Sequence, residues 1–148
     1  METRHIIPNR NYSPLPLKRG DEIFSIGVFK INITKIAENI KKGCLVPVSE
    51  HIIFSEWFKN HSRRGTIHES HLLNVDTSKP VIQAEIKPEY FELIDGNHRM
   101  IKALRQGAKG IDSYKLSALQ LLPFFTDRVS YENFVEFWND ELKCELLF

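Results

Sequence analysis

Between Tyr90 and Leu116 the chain changes hydrophobic period twice, and few architectures accommodate that pattern. YFELI is a β-rich run that ends at Ile94, and Asp95-Gly96-Asn97-His98-Arg99 follows it without a spacer. Met100, Ala103 and Leu104 then share one helical face until Gly107, in the position that terminates helices. IDSYKL restores strand character. Upstream, PVIQAEI is joined to YFELI by KPE, which predicts a hairpin leading into this strand-helix-strand unit. Strands and helices mixed this way predict an α+β fold: a single small domain with a mixed β-sheet and flanking helices.

Other segments are read against that centre. Pro8, Pro14 and Pro16, with Arg4, Arg10, Lys18 and Arg19 against Glu2, make residues 1–20 an irregular basic arm. EIFSIGVFKINI suits one or two strands, and Thr34 is the expected N-cap of a short helix to Lys42, stopped by Gly43. Pro47 and Ser49 open SEHIIFSEWFKN, read as a second helix on an imperfect stripe. HSRRGTIHESHLLNVDTSK is a long polar loop. SALQLLPFF is helical and broken near Pro123. Phe134, Phe137, Trp138 and Leu142 stripe a final amphipathic helix at 131–148, packed on a domain spanning 21–130.

A chain of 148 residues leaves little room for separate cofactor and substrate lobes. Its 42% hydrophobic and 26% charged content excludes a disordered or low-complexity chain. A net charge of +1 provides no global field for polyanions, so any contact with DNA would be local and centred on the basic arm. No long uncharged apolar run occurs, and METRHIIPNRNYSPLP lacks an apolar signal core. The expectation is therefore a cytoplasmic protein without a membrane partner. Cys44 and Cys144 form no motif and are expected to be reduced packing residues.

The chemistry concentrates at the strand-to-helix turn. A helix start presents unpaired amides and about half a positive charge, a ready site for an anion. Gly96 allows close approach to the backbone, and Arg99 offers a bidentate fork. His98 could donate a hydrogen bond or carry a proton, and Asp95 could orient it, bind a metal or act as base. Cations in a first helical turn oppose the dipole, so His98 and Arg99 call for an anion. The same residues also suit an ordinary helix start, with Asp95 or Asn97 as N-cap.

Two rival clusters are weaker. His61, His68, His71 and Glu69 do not match a usual zinc spacing, and solvated loop residues account for them. Arg63 and Arg64 could contact phosphate from a loop, or simply lie on the surface. No metal ligand is assigned from the sequence.

The run KPVIQAEIKPEYFELIDGNHRMIKALRQGAKGIDSYKL resembles the core of the ParB/sulfiredoxin-like superfamily, and VFKINITKIAENI resembles its opening strand and helix. The resemblance implies that Gly96, Asn97, His98 and Arg99 form a phosphate-binding turn, with Asp95 at the acidic position before it. It implies a nucleotide ligand (ATP, ADP or CTP) accompanied by Mg²⁺. Asn97 stands where sulfiredoxins carry their catalytic cysteine, and an amide is no sulfur nucleophile. The partition proteins' GERR and later arginine are replaced here by Asn97, His98 and Ile101, which disfavours their CTP clamp. Similar members with an intact DG-x-HR include free-serine kinases, whose base would fall near Glu38, and ParB-like nucleases.

The expected function is a nucleotide-dependent phosphotransferase or nucleotidase, with Asp95 and His98 as catalytic groups. The alternatives are a non-catalytic, nucleotide-gated or DNA-associated module and a ParB-like nuclease. A homodimer is open under each.

Overall fold

The structure is a computed structural model that describes residues 4–61 and 69–146. It is α+β, and contacts group it into two compact units. The first comprises Met1–Val46, Glu85–Phe91 and Ser117–Phe148; the second comprises Pro47–Ala84 and Glu92–Leu116.

In the first unit, β1 (Ile23–Ile26) and β2 (Phe29–Asn32) form an antiparallel hairpin, with Ile26 opposite Phe29. Helix α1 (Ile33–Lys41) follows at once. Its cap is Asn32, not the expected Thr34: Asn32 Oδ1 accepts from the Lys35 amide at 3.1 Å. Thr34 instead lies inside the helix and accepts from the Glu22 amide at 2.8 Å. After α5 (Ala118–Leu121), a 3₁₀ turn at Leu122–Phe124 accommodates Pro123, and α6 (Arg128–Leu146) completes the unit. Phe134 and Trp138 of α6 are fully buried, with Phe29 edge-on to Phe134 at 5.6 Å and Phe125 at 4.8 Å.

The basic arm lies along α6 in this unit. Ile6 is buried, and the Asn139 amide pairs with both its main-chain groups, at 2.9 and 3.0 Å. Tyr12 stacks on Tyr131 with centroids 4.0 Å apart. The Arg4 guanidinium donates through Nη1 to Glu85 at 2.8 Å and lies 5.0 Å from the Trp138 ring. Glu85 also accepts from the amides of Glu89 and Ala118. Its bond to the Glu89 amide holds that residue at φ +66°, a conformation that side chains other than glycine rarely adopt. Cys44 and Cys144 are free and exposed, so the expectation that they pack inside is corrected: they sit past the end of α1 and on the outer face of α6.

The second unit is built on a four-stranded sheet of order β3-β6-β4-β5, with β3 Val48–Ile53, β4 Val81–Lys87, β5 Tyr90–Asp95 and β6 Gly110–Leu116. The sheet is mixed: β3 is antiparallel to β6, with Ile52 opposite Ile111, and β4 is parallel to β6, with Val81 opposite Ser113. Of the β4–β5 hairpin, residues 81–84 and 92–95 belong here. Helix α4 (Asn97–Arg105) connects β5 to β6, and its Met100 and Ala103 share a buried cluster with Val81, Ile52 and Ile111.

The helix expected over SEHIIFSEWFKN is corrected. Residues 48–53 are strand, and only Phe54–Asn60 (α2) is helical, starting where the Phe54 amide donates to the Lys109 carbonyl at 2.9 Å. Pairing with β6 decides this, and Gly110 permits it: a Cβ there would lie 2.2 Å from the Ile52 carbonyl. The long polar loop contains a four-residue helix, α3 (Glu69–Leu72). β4 does not alternate between buried and exposed positions, since Val81 through Ile86 are all buried. Gln83 is accommodated by donating to Ser113 Oγ at 2.8 Å, and Ser113 donates onward to the Glu50 carbonyl.

Candidate functional site

β5 ends at Asp95, and the chain enters α4 through Gly96 at φ +99°. That conformation costs glycine little and any other residue more. A Cβ on Gly96 would stand 2.5 Å from Val81 Cγ1 and 3.0 Å from Arg99 Nη2. Val81 and the guanidinium therefore fill the space from which the sequence inferred ligand approach. An anion reaching this turn must come from the side opposite Val81.

No side chain caps α4 from its N-cap position, and its first turn carries no acid. Asn97, His98 and Arg99 occupy that turn, each partly exposed. Arg99 Nη2 donates to Asp95 Oδ2 at 2.8 Å, one turn back, with side-chain exposures of 17% and 26%. This is a single bond from a group with five N–H donors. Among the described residues no buried side-chain nitrogen or oxygen lacks a partner, so the remaining guanidinium donors reach solvent. The sequence left Asp95 with three candidate tasks, and in this structure its carboxylate is engaged by Arg99.

The structure adds neighbours that the sequence reading missed. Lys102 donates to the carbonyls of Val75 and Leu73, at 2.8 and 3.3 Å, which ties the segment after α3 onto α4. Arg105 pairs with Glu69 at the far end of that tie. Within the segment, Asp76 accepts from the Ser78 hydroxyl at 2.6 Å and amide at 2.9 Å. Those two bonds, then the attraction of Lys79 and Arg99, hold Asp76 below the usual carboxylate range. Arg99 thus has Asp95 bonded to it and Asp76 within electrostatic reach. Asp76-Thr77-Ser78 is a recognisable Asx-turn signature, but nothing local ties it to a turn so far along the chain.

Of the rival clusters, His61 and Glu69 are described with their side chains. His61 stacks on Trp57 at 3.6 Å and donates through Nδ1 to the Trp57 carbonyl, while Glu69 is paired with Arg105. His68, Arg63, Arg64 and the side chain of His71 lie outside the described residues. Among the described residues no group of three His, Cys, Asp or Glu could hold a metal ion. Glu38 lies in α1 of the first unit, 3.6 Å from Lys35. His51 Nδ1 and Asp112 Oδ1 meet at 2.8 Å, but both side chains are exposed and directly opposite on β3 and β6, the setting of a cross-strand ion pair.

Comparison with known protein families, curated proteins and solved structures finds no match to this chain. Among the described residues no helix is long and apolar enough to cross a membrane.

Proposed function

We propose that the protein binds a phosphate-bearing ligand, a nucleotide such as ATP, ADP or CTP, at the turn from Asp95 to Arg99, and transfers or hydrolyses its phosphoryl group. The observation that carries this reading is a partly exposed guanidinium with one donor engaged within the described residues, beside a helix start whose N-cap is a glycine. Arginine is suited to phosphate because its fork makes two parallel charge-assisted bonds. The amides of the first turn of α4 add donors and the positive end of the dipole.

In this reading Gly96, Asn97 and Arg99 bind the phosphate, and Arg99 with the amides stabilises charge on the transferred oxygens. The incoming anion competes with Asp95 for Arg99, and the released carboxylate becomes available as a base or as an oxygen ligand. Mg²⁺ suits such a place, since it takes one or two carboxylates and completes its shell with water and phosphate oxygens. Asp95 would hold it, and it would supply neutralising charge for the phosphate. His98 carries the proton at the reacting oxygen. The likeness of Lys79–Leu116 to ParB/sulfiredoxin-like proteins with a DG-x-HR turn supports the same assignment.

Thermal shift against nucleotides and small phosphates, with and without Mg²⁺, tests this. A ligand at one hundred times its dissociation constant stabilises by about 2.7 kcal/mol, which a melting curve resolves. The shift should be present for wild type and absent for Arg99→Ala. No shift with any ligand, or an equal shift in Arg99→Ala, overturns the assignment. Binding without product formation would retain the site and remove the catalytic step.

A further inference from the structure

We propose that Asp76 makes the Asp95–Arg99 turn selective for a phosphate chain carrying a bound divalent cation over the same chain without one, an inference that rests on the ligand reading above. Two anchors fix where Asp76 stands. Lys102 lies one turn after Arg99 on α4 and donates to the Val75 carbonyl at 2.8 Å and the Leu73 carbonyl at 3.3 Å. Buried Leu72 and the Glu69–Arg105 pair hold the start of the same segment. At the other end Val81 lies against Gly96, where α4 begins. Residues 76–80 therefore run alongside the first turns of α4, past Arg99. Asp76 is itself held in a turn: its Oδ1 accepts from the Ser78 amide and hydroxyl, and its carbonyl accepts from the Lys79 amide at 3.4 Å. Oδ2 takes no hydrogen bond among the described residues, and Arg99 is one of the charges that draw on this carboxylate.

The two carboxylates near Arg99 differ in what an incoming anion does to them. Asp95 is held by Arg99 alone, so an anion that takes the guanidinium releases it. Asp76 is fixed by Ser78 and by the Lys102 tie, neither of which the anion breaks. A bare phosphate chain on Arg99 therefore places several negative charges near a carboxylate that cannot withdraw. A divalent cation on that chain cancels two of those charges and turns the repulsion at Asp76 into attraction. Repulsion of this kind gives selectivity against one form of a ligand without any contact to the favoured form. Lys79 and Lys102 offset part of it, and Asp76 is exposed to screening by solvent and salt, so the expected discrimination is severalfold.

Isothermal titration of the full chain with ATP, once with Mg²⁺ and once in EDTA, tests this. Wild type should bind ATP severalfold more tightly with Mg²⁺ than without it. Asp76→Asn keeps the turn, because an amide oxygen accepts from Ser78 as a carboxylate does, and removes only the charge. In that variant metal-free ATP should bind severalfold more tightly than to wild type, with the affinity in Mg²⁺ little changed. Lys102→Met frees the segment and should narrow the gap in the same direction. An unchanged affinity for metal-free ATP in Asp76→Asn overturns the proposal. So does a loss confined to the Mg²⁺ condition, which would make Asp76 a ligand of the metal. A wild type that binds ATP equally in both buffers removes the role of Asp76 and leaves the phosphate turn standing. Failure of wild type to bind ATP in either buffer, with Arg99→Ala indistinguishable from it, removes the turn and this inference together.

Discussion

Two of the molecule's carboxylate–guanidinium pairs differ in how fully their hydrogen-bonding groups are engaged. In the first unit Arg4 meets Glu85, whose side chain is 4% exposed and accepts from both guanidinium nitrogens and two backbone amides. In the second, Arg99 meets Asp95 through one bond, and both side chains retain some exposure. The first pair is saturated and ties the arm to β4. The second keeps donors in reserve at a helix start whose N-cap is a glycine. The helix starts differ in the same sense: Asn32 closes α1 with its own amide, whereas Gly96 opens α4. A closed pair stabilises the fold; the open one is where the proposed ligand would bind.

The largest effect should come from the backbone that shapes the open pair. Gly96→Ala introduces a Cβ 2.5 Å from Val81 Cγ1 and 3.0 Å from the guanidinium, at φ +99°. Overpacking and backbone strain together should cost about 3 kcal/mol by chemical denaturation. Adding Val81→Ala should recover part of that loss. An unchanged midpoint in Gly96→Ala would show that the turn is not held as described.

Next, Arg4→Ala should lower stability by about 2–3 kcal/mol, at the low end for a buried pair because the Arg4 side chain is 38% exposed and partly screened. Glu85→Gln in the same background should restore much of it, since an uncharged amide no longer leaves a buried charge unpaired. Neither change should affect nucleotide binding.

The same pair sets a pH dependence. Burial pushes the Glu85 pKa up, but the Arg4 fork and the amides of Glu89 and Ala118 outweigh it, so the folded-state pKa lies below the ordinary glutamate value. Its contribution is therefore complete above the ordinary glutamate range and is lost as pH falls through the depressed value. Denaturation midpoints of wild type should decline more steeply below pH ~4.5 than those of Glu85→Gln. Parallel acid limbs would deny Glu85 that role.

Arg99→Ala should have the smallest effect on stability, under about 1 kcal/mol, because a single partly exposed ion pair contributes little. Its consequence should instead appear in ligand affinity. A large stability loss with binding intact would reverse the contrast between the two pairs.

Local pattern made part of this legible. The hairpin, the Asp95–Gly96 turn, α4 and β6 each carry their own signal, from β-branched runs to the stop at Gly107. β3 misled because Ile52, Ile53 and Trp57 fit a helical stripe as well as a strand, and only pairing with β6 decides between them. The Arg4–Glu85 pair joins residues 81 positions apart, and Val81 against Gly96 depends on strand placement, so neither leaves a local trace. The ion pair at the turn was closer to hand: Asp95 and Arg99 are one helical turn apart. Reading both as candidate ligand groups left out their attraction for one another.

Nitrogen-15-labelled protein titrated with ATP and Mg²⁺ provides the most direct measurement. The expected result is saturable displacement of the Gly96, Asn97, His98 and Arg99 amide resonances, larger than elsewhere in the chain and lost in Arg99→Ala. Unmoved resonances at these positions at saturating nucleotide, or displacement confined to the arm and α6, would contradict an anion site at this turn.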